Sequence, residues 1–123
     1  MREFKFRVWI KQWQKMQKIS SIDWSFGDIY IEADLHLYSF QIDEVELMQF
    51  TGLKDKYGKE IYEGDIVSHP NPTLNKAEIK FTKGIFRIVA KDGRDDLLYY
   101  CHNIIEVIGN IYENPELLGG KNE

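Results

Sequence analysis

The alternation of apolar and charged residues near the start of the chain constrains the fold more than any other feature. Residues 4–8 read Phe-Lys-Phe-Arg-Val, so apolar and basic side chains alternate along this segment. A period of two places the two sets on opposite faces of an extended strand. The segment therefore predicts a strand with its apolar face inward (Phe4, Phe6 and Val8) and its basic face toward solvent. Aromatic residues make up 14% of the chain, which favours strands elsewhere as well.

Turn residues divide the rest of the chain into short segments. The apolar stretches between them predict strands at residues 19–24, 28–32, 35–40, 45–50, 66–67, 77–81, 85–90, 97–101 and 104–112. Two prolines predict a loop from His69 to Asn75, because proline cannot donate to a strand ladder. Residues 11–18 fit either a short helical turn or a hairpin loop. Asn114 and Pro115 predict a helix start, with Asn114 as its cap.

These segments predict a mainly β fold, a β-rich α+β class with short helical turns. A chain of 123 residues, 43% of them hydrophobic, has the size of one folding unit. Five short strands joined by tight turns between Gly64 and Tyr112 suit an SH3-like small barrel. We therefore expect an N-terminal β subdomain (residues 1–50) packed on an SH3-like barrel subdomain (51–113). A short helical turn and a frayed tail (114–123) would follow.

Charge is distributed unevenly along the chain. Residues 1–18 hold six basic residues and one acidic residue, whereas the whole chain has a net charge of −4. Such a segment is a solvated strand face, a surface that docks on an acidic protein surface, or a contact for nucleic acid. Tryptophans lie among the cations, as in proteins that stack bases on aromatic rings. The candidate binding surface comprises Arg7, Trp9, Lys11, Trp13, Lys15 and Lys18.

The chain shows little sign of catalytic chemistry. The histidines are His36, His69 and His102, and no two are three or four residues apart, as a helical metal pair requires. Cys101 and His102 are adjacent, so on a strand they would point to opposite faces. A Cys–His nucleophile would need His36 or His69 to approach Cys101 through the fold. We expect no catalytic, cofactor-binding or metal-binding residues, and no enzyme.

The composition also indicates the cellular compartment in which the protein is expected. One cysteine cannot form an internal disulfide, which fits a reducing cytosol. No apolar run has the length that crosses a bilayer, and residues 1–6 carry charges where a signal peptide needs an apolar stretch. We therefore expect a cytoplasmic protein that has no membrane partner.

Four ordered motifs carry a family resemblance: residues 2–9, 47–55, 58–67 and 106–118. Together they resemble the YopX family, small proteins of phages and prophages, chiefly of Gram-positive hosts. This sequence departs from the family after Trp9, where Ile10 and Trp13 replace an Asp and a polar turn. The resemblance implies a phage-encoded protein in the host cytoplasm, with a β-rich fold, an SH3-like part and self-association. It implies no biochemical function and no catalytic residues.

The expected function is therefore binding or assembly. We predict a homo-oligomer with residues 1–18 at its interface, in which an unpaired N-terminal strand adds to a neighbour's sheet. A host protein is a further candidate partner, bound through the loop from His69 to Asn75 and exposed aromatic residues. The alternative is single-stranded nucleic acid, bound through the basic, Trp-bearing segment. The acidic net charge weighs against that alternative.

Overall fold

A computed structural model describes residues 5–119 of the chain. It is mainly β, with curled sheets and a few short helices, which confirms the predicted fold class. The chain divides into two compact units, with the boundary between Gln49 and Phe50. We call them the N-terminal unit and the C-terminal unit. The predicted roles of residues 1–4 and the frayed tail beyond Gly119 lie outside the described residues. None of the helices within residues 5–119 is long and apolar enough to cross a membrane.

In the N-terminal unit, strand β1 (Phe6–Ile10) lies between two other strands. It pairs antiparallel with β2 (Lys15–Lys18) on one side and with the first half of β6 (Val45–Lys54) on the other. Residues 11–18 are thus a hairpin turn and its second strand. The prediction that the N-terminal strand is unpaired and adds to a neighbour's sheet is wrong, because β2 and β6 occupy both of its edges.

The remaining strands of this unit form a three-stranded antiparallel sheet, ordered β3-β4-β5. They are β3 (Ser21–Asp23), β4 (Asp28–Ala33) and β5 (His36–Gln41), and a 3₁₀ helix at Ile42–Glu44 leads on to β6. The period of two along β4 places Ile29 and Ile31 on the buried face. The core of the unit consists of Val8, Ile10, Ile29, Ile31, Phe40 and Val45.

The C-terminal unit contains a five-stranded antiparallel sheet, ordered β11-β10-β9-β8-β12. Its strands are β8 (Asp65–Ser68), β9 (Ala77–Thr82), β10 (Ile85–Val89), β11 (Asp95–Leu97) and β12 (Glu106–Asn110). A further strand, β7 (Glu60–Tyr62), pairs with the end of β6. The sequence predicted five strands in this region, and β9 and β10 pair as an antiparallel hairpin. The core contains Ile61, Val67, Leu74, Ala77, Ile79, Ile88, Ala90, Leu98, Cys101, Ile105 and Val107.

The segment 97–101 is not the strand that its apolar composition predicts. Strand β11 ends at Leu97, and a helical turn, α1 (Leu98–Cys101), follows, continued by a 3₁₀ helix at His102–Ile104. Leu98 and Cys101 are buried, whereas the two tyrosines between them are exposed. Burial therefore repeats at the helical spacing of three and not at the strand spacing of two.

Short 3₁₀ helices lie in two further segments, the predicted loop at residues 69–75 and the predicted helix start at Asn114. The loop from His69 to Asn75 contains one at Pro72–Leu74, started by Asn71, whose Oδ1 accepts the Thr73 N–H at 3.0 Å. A second runs from Pro115 to Leu118, but Asn114 does not cap it with its side chain.

The Asn114 Oδ1 accepts the Asn110 N–H instead, at 3.2 Å. This contact explains Gly109, since a Cβ at that position would lie 2.5 Å from Asn114 Oδ1. The β8–β12 register also shifts between Val107 and Gly109. Gly109 thus lies at a bulge, where its backbone packs closely against the Asn114 side chain.

Two buried aspartates hold turns of the C-terminal unit. Asp65 Oδ2 accepts the Tyr62 N–H at 2.8 Å, which gives this carboxylate a structural role in the turn. Asp55 Oδ1 accepts the N–H groups of Tyr57 and Lys59, and its Oδ2 accepts the Val107 N–H, each at 2.9 Å. Burial alone would raise the pKa of Asp55, but these hydrogen bonds and the charge of Lys59 lower it.

Candidate functional site

The six residues of the predicted binding surface do not share one face of the N-terminal hairpin. Arg7 lies directly opposite Lys18 in the β1–β2 pair, so the two share a face, and Trp9 lies on that same face. Lys15 lies opposite Ile10 and therefore belongs to the other face. The basic residues of this segment are thus divided between the two sides of the strand pair.

The aromatic residues of this region also lie in different surroundings. Trp9 is buried, with only 8% of its surface exposed. The Trp13 ring packs edge-on against Tyr38 and Phe40, with ring centroids 4.8 and 5.2 Å apart. Trp24 is the most exposed of the three tryptophans, at 63%, and meets Phe6 edge-on.

The basic side chain of Lys11 is engaged locally. Its Nζ forms an ion pair with Glu46 at 3.4 Å and donates to the carbonyl oxygen of Asp43 at 3.2 Å. Trp13 and Lys15, in contrast, line an open cleft together with Gln17, Ala33, Asp34 and Tyr38. Two residues of the predicted surface therefore lie beside strand β5.

Strand β5 is an open sheet edge. Among the described residues it pairs only with β4, and five of its six residues are exposed. Its sequence, His-Leu-Tyr-Ser-Phe-Gln, contains no proline and no lysine, arginine, aspartate or glutamate. Leu37 is 64% exposed. An exposed, uncharged edge of this length offers its backbone N–H and C=O groups to another strand.

The other sheet edges within residues 5–119 are short, charged or interrupted. Strand β2 begins and ends with lysine. Strands β3, β7 and β11 have three residues each, two of them aspartates in β11. Strand β12 has the bulge at Gly109. Short length, lysine and bulges are devices that prevent edge-to-edge pairing, and β5 has none of them.

The turn that leads into β5 adds an unusual leucine. Asp34 and Leu35 both have positive φ, 52° and 66°, as in the two-residue hairpin turns that favour Asn-Gly. Leu35 is fully exposed, so its side chain buries no area that would offset this backbone strain. The two-residue turn requires the positive φ, but a leucine is a strained choice for it, and strained residues cluster at binding sites.

The C-terminal unit has an exposed aromatic groove. Phe81, Phe86, Tyr99 and Tyr100 line it, together with Thr51, Leu53, Gly84, Ile85 and Leu97. The rings of Phe81 and Phe86 meet edge-on with centroids 4.8 Å apart, and those of Tyr99 and Tyr100 at 5.3 Å. The turn α1 creates this groove, because it directs both tyrosines outward.

The fold also brings His69 close to Cys101, the condition that a Cys–His pair required. Donor atoms of His69, Asp96 and Cys101 all lie within 4.8 Å of one another. Burial and the nearby charge of Asp96 raise the pKa of Cys101 to about 11, so its thiol is protonated at neutral pH. An activated nucleophile needs the opposite shift. No sequence pattern indicated Asp96, because the three residues come from separate elements.

Known proteins of similar sequence and structure identify the family. The YopX protein family matches residues 5–119. The SPbeta prophage-derived uncharacterized protein YopX of Bacillus subtilis is 33% identical over 109 residues, covering 82% of this chain and 79% of that protein.

Two crystal structures are similar as well. Protein EF1440 from Enterococcus faecalis is 28% identical, with a TM-score of 0.65, over 96% of this chain and 99% of that one. Protein yopX from B. subtilis is also 28% identical, with a TM-score of 0.65, over 93% of this chain and 97% of that one. With the matched motifs and the mainly β fold, these similarities show that the chain belongs to the YopX protein family.

Proposed function

We propose that this prophage-type protein is a non-enzymatic assembly protein in the host cytoplasm, and that it self-associates through strand β5. In the proposed dimer, β5 of one copy pairs antiparallel with β5 of a second copy. The observation that carries the proposal is the open edge itself: six residues, five of them exposed, without charge or proline. Strand addition uses backbone hydrogen bonds and therefore needs no catalytic or cofactor residues.

Antiparallel pairing of β5 with itself is geometrically self-complementary. Two identical strands that pair antiparallel can be related by a twofold axis, and residues directly opposite each other then share a face. The Leu37 side chains would lie on one face, and the Tyr38 side chains on the other, next to Trp13. Because β5 holds no charged residue, no like charges within the strands would face each other across the new pair.

The strained, exposed Leu35 supports the same surface. An isolated N-terminal unit gains nothing from a leucine at positive φ in full contact with water. In the dimer, Leu35 lies at the end of the paired strands, where a partner can cover it. The strain would then be offset by apolar area buried on association.

The expected affinity is modest. A six-residue strand spans about 20 Å, and a contact of that length falls at the small end of protein interfaces. We therefore expect a reversible, concentration-dependent dimer. Because the contact is carried by backbone and apolar groups, it should depend only weakly on salt.

Light scattering coupled to size exclusion, over a series of protein concentrations, tests this proposal. The wild type should shift from 14.6 kDa toward twice that mass as concentration rises. Leu37→Lys places a charge on the exposed edge and should remain monomeric. Tyr99→Lys, a matched substitution of an exposed apolar residue in the other unit, should dimerise like the wild type. A wild-type protein that stays monomeric, or a Leu37→Lys variant that dimerises equally, would refute the proposal.

Binding of single-stranded nucleic acid remains the alternative and has less support. The basic residues that would bind the nucleic acid are divided between two faces of the strand pair. Lys11 forms an ion pair with Glu46, and Trp9 is buried. Absorbance at 260 and 280 nm during the same chromatography tests it at low and high salt. Nucleic acid that co-elutes at low salt and dissociates at high salt would favour this alternative.

A further inference from the structure

Three side chains with different donor atoms meet within the C-terminal unit. His69 follows β8, Asp96 lies in β11, and Cys101 ends α1. One nitrogen, one carboxylate oxygen and one sulfur lie within 4.8 Å of one another. Cys101 is buried, His69 is half-buried and Asp96 is exposed, so the group is anchored in the core and open on one side.

The imidazole of His69 provides an independent observation. Its Nδ1 accepts the Asn71 N–H at 2.9 Å. Its Nε2 is buried and has no hydrogen-bond partner among the described residues. Since Nδ1 accepts that bond, Nε2 carries the proton of the neutral ring, and this buried N–H lies beside the thiol and the carboxylate without the partner that buried polar atoms nearly always have.

We infer that His69, Asp96 and Cys101 bind a divalent transition-metal ion, with zinc the ion that the donor set fits best. Imidazole nitrogen, thiolate sulfur and carboxylate oxygen are the three donor types that zinc takes in proteins. Three protein ligands leave a fourth, open position for water or another donor. The three residues all belong to the C-terminal unit and none lies in β5, so the inference does not depend on the proposed dimer.

Small movements of the His69 and Asp96 side chains would bring the three ligand atoms to the spacing that zinc requires. Tetrahedral zinc, with bonds of about 2.0–2.3 Å, requires ligand atoms roughly 3.3–3.7 Å apart, somewhat closer than the upper limit of 4.8 Å. Asp96 is exposed, and His69 begins a loop whose next residues, Pro70 and Asn71, are also exposed. Both ligands therefore have room to approach Cys101, which the core holds in place.

The protons balance as follows. Cys101 Sγ, which donates to the Leu97 carbonyl oxygen at 3.4 Å, would release its proton to solvent when sulfur binds the ion. Coordination through His69 Nε2 would move the ring proton to Nδ1. The Asn71 N–H would then lose its hydrogen bond to Nδ1 and donate to water instead. Metal binding should thus alter the loop from His69 to Asn75, and no oxidant or reductant is needed.

Cobalt(II) is a suitable first probe, because a cobalt–thiolate bond gives a near-ultraviolet charge-transfer band that oxygen and nitrogen ligands do not. The untagged chain of 123 residues should bind one equivalent of cobalt, with this band and with the visible spectrum of tetrahedral cobalt. Zinc should displace the cobalt, and calorimetry should give the zinc affinity and a zinc-dependent rise in Tm.

Three variants separate this site from adventitious binding. Asp96→Asn and His69→Asn should each weaken zinc binding by roughly tenfold or more. His36→Asn, an exposed histidine in the other unit, should bind zinc like the wild type. Asp96 is exposed, so its variant tests the site even if a variant of buried Cys101 fails to fold. Absence of the thiolate band, or equal zinc affinity in Asp96→Asn and wild type, would overturn the inference.

Discussion

Replacing Asp55 with asparagine should destabilise the C-terminal unit more than its single-atom change implies. The Asp55 carboxylate accepts three backbone N–H groups, and the one from Val107 joins segments 52 residues apart. Asparagine can keep the two bonds to Oδ1, but its amide would place a second donor against the Val107 N–H. A buried hydrogen bond to a charged group contributes about 1.5–3 kcal/mol, and an unsatisfied donor costs about 1–3 kcal/mol. We therefore expect a loss of about 2–4 kcal/mol.

This loss should be readily measured. For a chain of this length, about 2–4 kcal/mol corresponds to a Tm decrease of about 8–15 °C. Urea unfolding followed by circular dichroism gives the free energy directly. Asp92→Asn is the control, because Asp92 also accepts a turn N–H, from Arg94, but is exposed. That variant should lose less than about 1 kcal/mol. Equal losses in the two variants would refute the reasoning.

The pH dependence supplies a second check on Asp55. Its folded-state pKa lies below the ordinary value of 3.8, because the N–H donors and Lys59 outweigh burial. A depressed carboxyl pKa contributes stability that is present above the unfolded pKa and lost as pH falls through the folded pKa. The difference between wild type and Asp55→Asn should be constant from neutral pH to about pH 5 and shrink below the ordinary pKa. A difference that stays the same in acid would contradict this account.

Three further predictions concern single positions. Leu35→Gly should raise monomer stability by about 0.5–1 kcal/mol in urea unfolding and weaken self-association, because glycine relieves the positive φ; a destabilised monomer would contradict this. Gly109→Ala should cost about 2 kcal/mol or more in the same assay, because its Cβ would meet Asn114 Oδ1, and adding Asn114→Gly should recover part of the loss. Cys101 should react slowly with iodoacetamide in the folded metal-free protein and quickly in urea, since burial and Asp96 keep the thiol protonated; equal rates in both states would contradict a buried, protonated thiol.

Local patterns predicted much of the secondary structure. The alternation around Val8 correctly places that side chain in the core, and the hairpin of β9 and β10 follows from apolar runs around Thr82, Lys83 and Gly84. The family was recognisable as well, because its motifs extend over nearly the whole chain. The strand predicted at residues 97–101 is wrong, since an apolar run fits a buried strand or a buried helical turn equally well.

The candidate sites depend on information that local sequence does not hold. Whether β1 or β5 is an edge depends on which strands flank it, and period-two patterns do not specify neighbours. Likewise, His69 and Cys101 are 32 positions apart, and only the path of the chain through β8, β11 and α1 brings them together. The exposed Leu35 was predicted as part of a strand, because an apolar run of residues does not indicate where the backbone adopts a positive φ.

Amide hydrogen exchange of β5 at low and high protein concentration tests the central claim most directly. If two copies pair through this edge, the amides of His36–Gln41 that point away from β4 should become protected as concentration rises. The amides of the charged edges β2 and β11 should exchange at the same rate throughout. Protection that appears at β2 or β11 instead, or rates in β5 that ignore concentration, would contradict assembly through β5.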